Sequence, residues 1–213
     1  MDVARFRELP ILGIVRGIEA DEVAPLAEAV AAAGLGALEI TMNTAGAPGL
    51  IRRMVAAADG RLAVGAGTVL TPDDLEAALD AGATFIVSPT LVPVVVERCV
   101  ARGVPVFPGA LTPQEIHAAW AAGATMVKVF PAGAFGPAYF REIKGPFADI
   151  QLLACGGVTP ENVPSYVANG ASAVAFGGSI FRREWLAGRQ FTRVEEEIRT
   201  LVRAWQGACT TAP

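Results

Sequence analysis

Histidine occurs once in the 213 residues, as His117, and cysteine three times, as Cys99, Cys155 and Cys209. A lone histidine argues against a zinc or multi-histidine centre, so no metal is expected. The three cysteines are far apart, without metal-ligand spacing, and suit a reduced, cytoplasmic protein. Charge is sparse as well: 18% of the residues are charged, below the roughly 25% usual in soluble domains. The formal net charge of −4, a sequence pI ≈ 5.1 and the lack of a Lys/Arg block exclude the usual footprint of a nucleic-acid partner. Mean hydropathy is high at +0.44. Yet no apolar run approaches the roughly 20 residues of a membrane-spanning helix, and Met1-Asp2-Val3-Ala4-Arg5-Phe6-Arg7-Glu8 lacks the apolar core of a signal peptide. The expectation is a cytoplasmic chain with no membrane contact.

What the sequence has in quantity is core. Hydrophobic residues make up 53% of the chain, and Gly 23 with Pro 15 stays short of a disordered composition. The length suits a single domain, residues 1–213. Short apolar runs recur at Ile11–Arg16, Ala37–Met42, Leu62–Ala66, Thr84–Ser88, Val104–Phe107, Thr125–Phe130, Gln151–Cys155 and Ala173–Phe176. Being apolar on both faces and often β-branched, they read as buried parallel strands. Helix signals lie between them. Asp21–Ala33 ends at Gly34. Thr71-Pro72, Thr112-Pro113 and Thr159-Pro160 open helices that end at Gly82, Gly123 and Gly170. Thr at the N-cap, Pro next and Gly just past the end is the expected asymmetry of a helix. A short helical stretch precedes Leu9, and Phe191–Gln206 reads as a terminal amphipathic helix. Similar helix-to-strand phrases, such as Ala81-Gly82-Ala83 and Ala122-Gly123-Ala124, mark one βα unit used repeatedly. Eight units of similar weight predict an α/β (β/α)8 TIM barrel, and fit closure better than the rival doubly wound open sheet.

Three charges then stand where barrel strands should carry none. With a period of two, Met126, Lys128 and Phe130 share one strand face, Ala37, Glu39 and Thr41 another, and Leu12, Ile14 and Arg16 a third. Lys128, Glu39 and Arg16 all fall toward the C-terminal strand ends, where barrel active sites lie. One reading is a structural ion pair of Glu39 with Lys128 or Arg16, although buried pairs rarely add stability over apolar packing. The other reading is catalytic. Only two lysines, Lys128 and Lys144, stand against fifteen arginines. Among Met126, Val127, Val129 and Phe130, and near Arg16, the charged form of Lys128 would be disfavoured, leaving an amine able to attack a carbonyl and form a Schiff base. Glu39 suits the accompanying proton transfers, and Arg16 offers a bidentate clamp for carboxylate or phosphate. Lys144, near a helix end, reads as a solvated surface charge.

The strand ends carry further candidates. Thr68 closes the third strand with a hydroxyl near the same mouth, where a turn or capping role fits equally. Cys155-Gly156-Gly157 follows the seventh strand and Phe176-Gly177-Gly178-Ser179 the eighth, the two loops that commonly hold a phosphate in barrels. Cys155 reads as a small packing residue, His117 as a surface or helix-packing residue and Cys209 as solvent-facing.

Over nearly its whole length the chain resembles the class I aldolases that cleave 2-keto-3-deoxy-6-phospho sugar acids. The marks are Gly13-Ile14-Val15-Arg16-Gly17, Leu38-Glu39-Ile40-Thr41, Val64-Gly65-Ala66-Gly67-Thr68-Val69-Leu70, Val87-Ser88-Pro89, Val127-Lys128-Val129-Phe130-Pro131-Ala132 and Gly156-Gly157-Val158-Thr159-Pro160-Glu161-Asn162. The resemblance implies that Lys128 forms the Schiff base and Glu39 relays protons through a water. It implies that Thr68 and an arginine hold the pyruvoyl carboxylate, that Pro89 and Phe130 line the pocket, and that Gly156, Gly157, Gly178 and Ser179 take the phosphate. The implied products are pyruvate and D-glyceraldehyde 3-phosphate, formed without metal or cofactor by a homotrimer.

Two positions depart from the phosphogluconate members, which often carry Arg at Asn43 and Thr at Cys155. Asn43 with Arg16, and Ala134-Phe135-Gly136-Pro137, look more like the phosphogalactonate branch. A thiol is a poor hydrogen-bond donor, so Cys155 as a substrate-binding residue would read the C4 hydroxyl weakly. Four-hydroxy-2-oxoglutarate is a further substrate of the family. Outside it, the rivals are a phosphate-binding barrel isomerase or epimerase with Glu39 as base, and a non-catalytic phospho-sugar sensor.

Overall fold

A computed structural model describes residues 1–211. In chain order it forms α1 Val3–Glu8, β1 Ile11–Val15, α2 Val23–Ala32, β2 Ala37–Thr41, α3 Ala47–Ala58, β3 Ala63–Gly67 and α4 Pro72–Asp80. There follow β4 Ile86–Val87, α5 Pro93–Ala101, β5 Val106–Phe107, β6 Gly109–Ala110, α6 Pro113–Ala121, β7 Val127–Val129 and α7 Ala138–Lys144. The chain continues through β8 Leu152–Cys155, α8 Val163–Ala168, β9 Ala173–Phe176, α9 Arg183–Ala187 and α10 Phe191–Thr211.

All strand pairs are parallel, in the order β5-β4-β3-β2-β1-β9-β8-β7-β6. The two ends of that order, β5 and β6, are separated in the chain by Pro108 alone. They are two halves of one barrel strand that proline interrupts, because its ring nitrogen cannot donate to a ladder. The Pro108 carbonyl still accepts from the Lys128 N–H at 2.9 Å, and the Val106 carbonyl from Thr125 N–H at 2.9 Å. The sheet therefore closes into the eight-position barrel that the eight apolar runs anticipate.

Alternation along the strands sorts side chains into two cores. Leu12, Ala37, Phe85, Val87, Phe107, Met126, Leu153 and Ala173 fill the barrel with Phe6 from α1, and outward residues such as Val64, Ile86, Val127 and Val174 pack under the helices. Phe107 meets both Phe6 and Phe85 edge-on, each at 5.9 Å between ring centroids, so aromatic rings fill the end of the barrel nearest α1. Room for them comes from β3, whose inward positions are Ala63, Gly65 and Gly67. A Cβ on Gly65 would lie 2.4 Å from the Phe85 ring.

The cap chemistry accounts for α4 and α6, which begin in full capping boxes at Thr71/Asp74 and Thr112/Glu115. The glycines after α2, α4, α6 and α8 all take left-handed backbone, with φ of 83°, 94°, 97° and 91°. Elsewhere the boundaries differ. The Thr159-Pro160-Glu161 signal folds as a turn in which the Asn162 side chain accepts from Thr159 N–H, and α8 starts only at Val163. α3 and α5 have Gly46 and Val92 at their N-caps and no side-chain cap, which is why their sequences announce no start. Lys144 is no free surface charge: its Nζ donates to the carbonyls of Ala148 and Ile150 at the end of α7. His117 stacks on Phe147 at the surface, and Cys209 is exposed on α10. No described helix is long and apolar enough to cross a membrane.

Gly65→Ala should cost about 1–3 kcal/mol in urea unfolding, since the added methyl would overlap the fully buried Phe85 ring. Unchanged stability would show that the ring is not tightly held.

Candidate active site

Glu39 and Lys128 both project into the barrel, as the strand period requires. Glu39 pairs in register with Ile14 and Gly65, and Lys128 with Gly109 and Leu153. They are 1% and 6% exposed. Glycine makes the carboxylate's place: a Cβ on Gly67 would lie 2.2 Å from Glu39 Oε1. Burial raises the Glu39 carboxyl to about 7, opposed by the charges of Lys128 and Arg16. Its Oε2 atom has no hydrogen-bond partner. A structural ion pair would satisfy that oxygen, so the arrangement is one of poised groups rather than of a clasp. A buried acceptor left open in this way is the kind of site that a bound group completes.

Lys128 is bordered by two of the anticipated residues. Its Nζ sits 5.2 Å from the centroid of the Phe130 ring. Burial pushes the Cys155 thiol up, while the Lys128 charge beside it pulls the other way. Phe130 and Cys155 are also walls of a cavity of about 640 Å³ that opens at the C-terminal strand ends. The same cavity is lined by Arg16, Gly156, Gly157, Gly178 and Ser179. Seven of the eleven candidate residues thus converge on one opening, with the buried amine behind its Phe130–Cys155 wall.

The two glycine loops supply the opening with donors. Among the described residues, the backbone N–H groups of Gly156, Gly157, Gly178 and Ser179 donate to no protein acceptor, whereas Ile180 and Phe181 donate back to the Gly177 carbonyl and fix the turn. Gly156 and Gly157 hold φ of 92° and 79°, and their loop is tied down by Gly133 N–H donating to the Gly156 carbonyl at 2.9 Å. Clustered free amides of this kind make an anion-binding concavity. With only five residues, α9 adds little dipole, so the loop amides are the main donors.

Arg16 is where the strand pattern misleads. β1 ends at Val15, and Arg16 lies just beyond it, exposed on the cavity wall rather than buried in the barrel. A cation at the mouth keeps its hydration, which a strand interior would strip. Pro89 lies on a separate, smaller cavity of about 290 Å³ whose wall also includes Phe130. Gly109 allows this approach, since a Cβ there would lie 2.1 Å from the Pro89 carbonyl oxygen. Thr68 lies just beyond β3, half-buried and on neither cavity wall, with φ of 55°. Left-handed backbone is costly for a β-branched residue and marks a strained position beside the site.

Sequence reading missed Arg182 and Arg183, which also line the large cavity. Arg183 binds the nearly buried Glu22 through Nη1, at 3.0 Å to Oε1 and 2.8 Å to Oε2. The partners are 161 positions apart, so no local pattern announces the pair. It pins the β1–α2 loop, which carries Arg16, to the end of the glycine loop after β9.

Comparison with known proteins identifies the family and the fold. The family model described as KDPG and KHG aldolase matches residues 3–197. The 2-dehydro-3-deoxy-6-phosphogalactonate aldolase of Escherichia coli K12 is 36% identical over 94% of this chain and 97% of its own. A solved structure described as native KDPGal superposes with a TM-score of 0.89 at 35% identity, covering 95% of this chain and 97% of that one. KDPG aldolase from Legionella pneumophila, solved with pyruvate captured as a covalent carbinolamine intermediate, superposes at 0.86 with 26% identity over 93% and 96% of the two chains.

The raised Glu39 carboxyl has a consequence for stability. It holds its proton more tightly folded, at about 7, than unfolded, at about 4.5. Its contribution to stability is therefore full below about pH 4.5 and lost as the pH rises through about 7. Urea unfolding should show wild type losing stability relative to Glu39→Gln across that window. A difference independent of pH would mean that the carboxyl titrates normally.

Proposed function

The chain belongs to the KDPG and KHG aldolase family, and we propose that it is a class I aldolase cleaving a 2-keto-3-deoxy-6-phospho sugar acid, phosphogalactonate or phosphogluconate, to pyruvate and D-glyceraldehyde 3-phosphate. The observation that carries this reading is the buried Lys128, held behind an opening lined by free amide donors and arginines, with an unsatisfied, proton-holding Glu39 in the same barrel.

The chemistry follows from those groups. The Lys128 amine adds to the C2 carbonyl, giving a carbinolamine that loses water to an iminium. The iminium draws electrons as the C3–C4 bond breaks, so no metal is needed as electron sink. A base accepts the C4 hydroxyl proton as the aldehyde leaves, and the same group, now an acid, protonates the enamine at C3. Water then hydrolyses the pyruvate iminium and returns Lys128. A carboxyl with a pKa near 7 serves both directions, because acid and base forms are each abundant at neutral pH. Glu39, acting through a water, takes that role.

The remaining residues divide by position. Arg16 and Thr68 hold the pyruvoyl carboxylate. Pro89 and Phe130 line the pocket, and the amides of Gly156, Gly157, Gly178 and Ser179 take the phosphate. Cys155, apolar and buried against Lys128, packs beside the reacting carbons instead of reading a hydroxyl. That favours the phosphogalactonate epimer, in line with the E. coli relative named above. We further take residues 1–213 as one aldolase domain working in the cytoplasm as a homotrimer. The free cysteines fit a reduced compartment, and the exposed apolar side chains of Leu70, Val94, Val100 and Phe135 offer surface to a neighbouring subunit.

Lys128→Met should reduce cleavage of both epimers to background while the circular dichroism spectrum stays that of wild type; retained turnover would remove Lys128 from the chemistry. Glu39→Gln should slow hydrogen exchange at the pyruvate methyl in D2O by about 10²–10⁴-fold. Wild-type exchange rates in that variant would assign the proton transfers to another group.

A further inference from the structure

Three arginines line the large cavity, and their partners sort them by task. Arg183 is committed: Glu22 holds it at 2.8 and 3.0 Å, and Glu19 lies 3.8 Å away. Its charge is largely neutralised where it stands. Arg16 acts inward, since its charge is felt by both Glu39 and Cys155 on the barrel interior. Arg182 is different. Its Nε donates to the Ser179 carbonyl at 3.2 Å, and among the described residues its two terminal nitrogens meet no acceptor. Its guanidinium lies 4.5 Å from the Trp185 ring, whose indole is buried and also approached by Arg193 at 4.9 Å. Glu184 lies on the same cavity wall but makes no ion pair with Arg182.

We propose that Arg182 is a phosphate-binding residue of this site, its planar fork closing over the anion that the Gly178 and Ser179 amides cradle. The assignment deepens the aldolase reading above and rests on it. The Ser179 carbonyl ties the guanidinium to the loop that supplies the amides, and the Trp185 face fixes its plane. Little side-chain freedom is then left to lose when the two free N–H edges meet phosphate oxygens. Paired donors in a plane match phosphate better than a point charge does. Arg182 therefore discriminates phosphorylated from unphosphorylated aldehyde partners, while Arg16 serves the carboxylate end.

The test runs the reaction toward synthesis, with pyruvate and either D-glyceraldehyde 3-phosphate or D-glyceraldehyde. In Arg182→Met the ratio of kcat/KM for the phosphorylated over the unphosphorylated aldehyde should fall about tenfold or more, through KM, equivalent to about 1.4 kcal/mol or more. Arg182→Lys, which keeps the charge but not the fork, should lie between that variant and wild type, and it carries the test alone should the Met variant fail to fold. A wild-type ratio in either variant overturns the assignment. So does an equal loss for both aldehydes, which would make Arg182 structural. Wild type that exchanges no hydrogen at the pyruvate methyl fails on the aldolase reading itself, and this assignment falls with it.

Discussion

A carboxyl and an amine inside the same dry barrel constrain everything around them. Water would pay the solvation of either charge; the interior offers instead a few weak partners and a low dielectric. Strand alternation makes Glu39 and Lys128 point inward, and nothing in their own strands can turn them out. The barrel answers with small residues. Gly67 leaves space for the Glu39 carboxyl, Gly109 lets the loop after β4 approach, and Cys155 sets a small apolar group against Lys128. The outcome is a carboxyl near 7 with one oxygen unbonded. Such an arrangement costs stability, and the aromatic packing of Phe6, Phe85 and Phe107 fills the opposite end of the barrel.

In the proposed reading, the two ends of the large cavity separate binding from bond-breaking. Outside, free amides and arginines present donors in water-accessible loops. Inside, Phe130 and Cys155 stand between those donors and the amine. Phe130 is 38% exposed and shared by both cavities, so a ring that would be unfavourable on an ordinary surface becomes a wall on two sides. The Arg183–Glu22 pair couples the halves mechanically, by fixing the loop of Arg16 against the loop after β9.

Features set by local rules were legible in the sequence. Eight apolar runs foretold the barrel, and the period of two foretold the inward faces of Glu39 and Lys128. Thr-Pro signals closed by a following glycine foretold α4 and α6. Features set by contacts across the chain were not legible. Whether Arg16 is buried depends on where β1 ends, and that strand stops one residue short of it. The role of Arg183 depends on a partner 161 positions away. The Thr159-Pro160 signal was overridden when the Asn162 side chain made a turn of the same residues. Nothing local distinguishes Arg182 from the fourteen other arginines until Trp185 and Ser179 are seen to hold it.

The central claim is that Lys128 forms a covalent imine with a keto acid, and borohydride reduction in the presence of pyruvate tests it most directly. The only other amines in the chain are Lys144, bound to two carbonyls, and the amino terminus, so peptide mass spectrometry leaves few sites to distinguish. The account predicts one reduced pyruvyl adduct, on the peptide containing Lys128. Folded protein carrying no adduct, or carrying it on another amine, would contradict it.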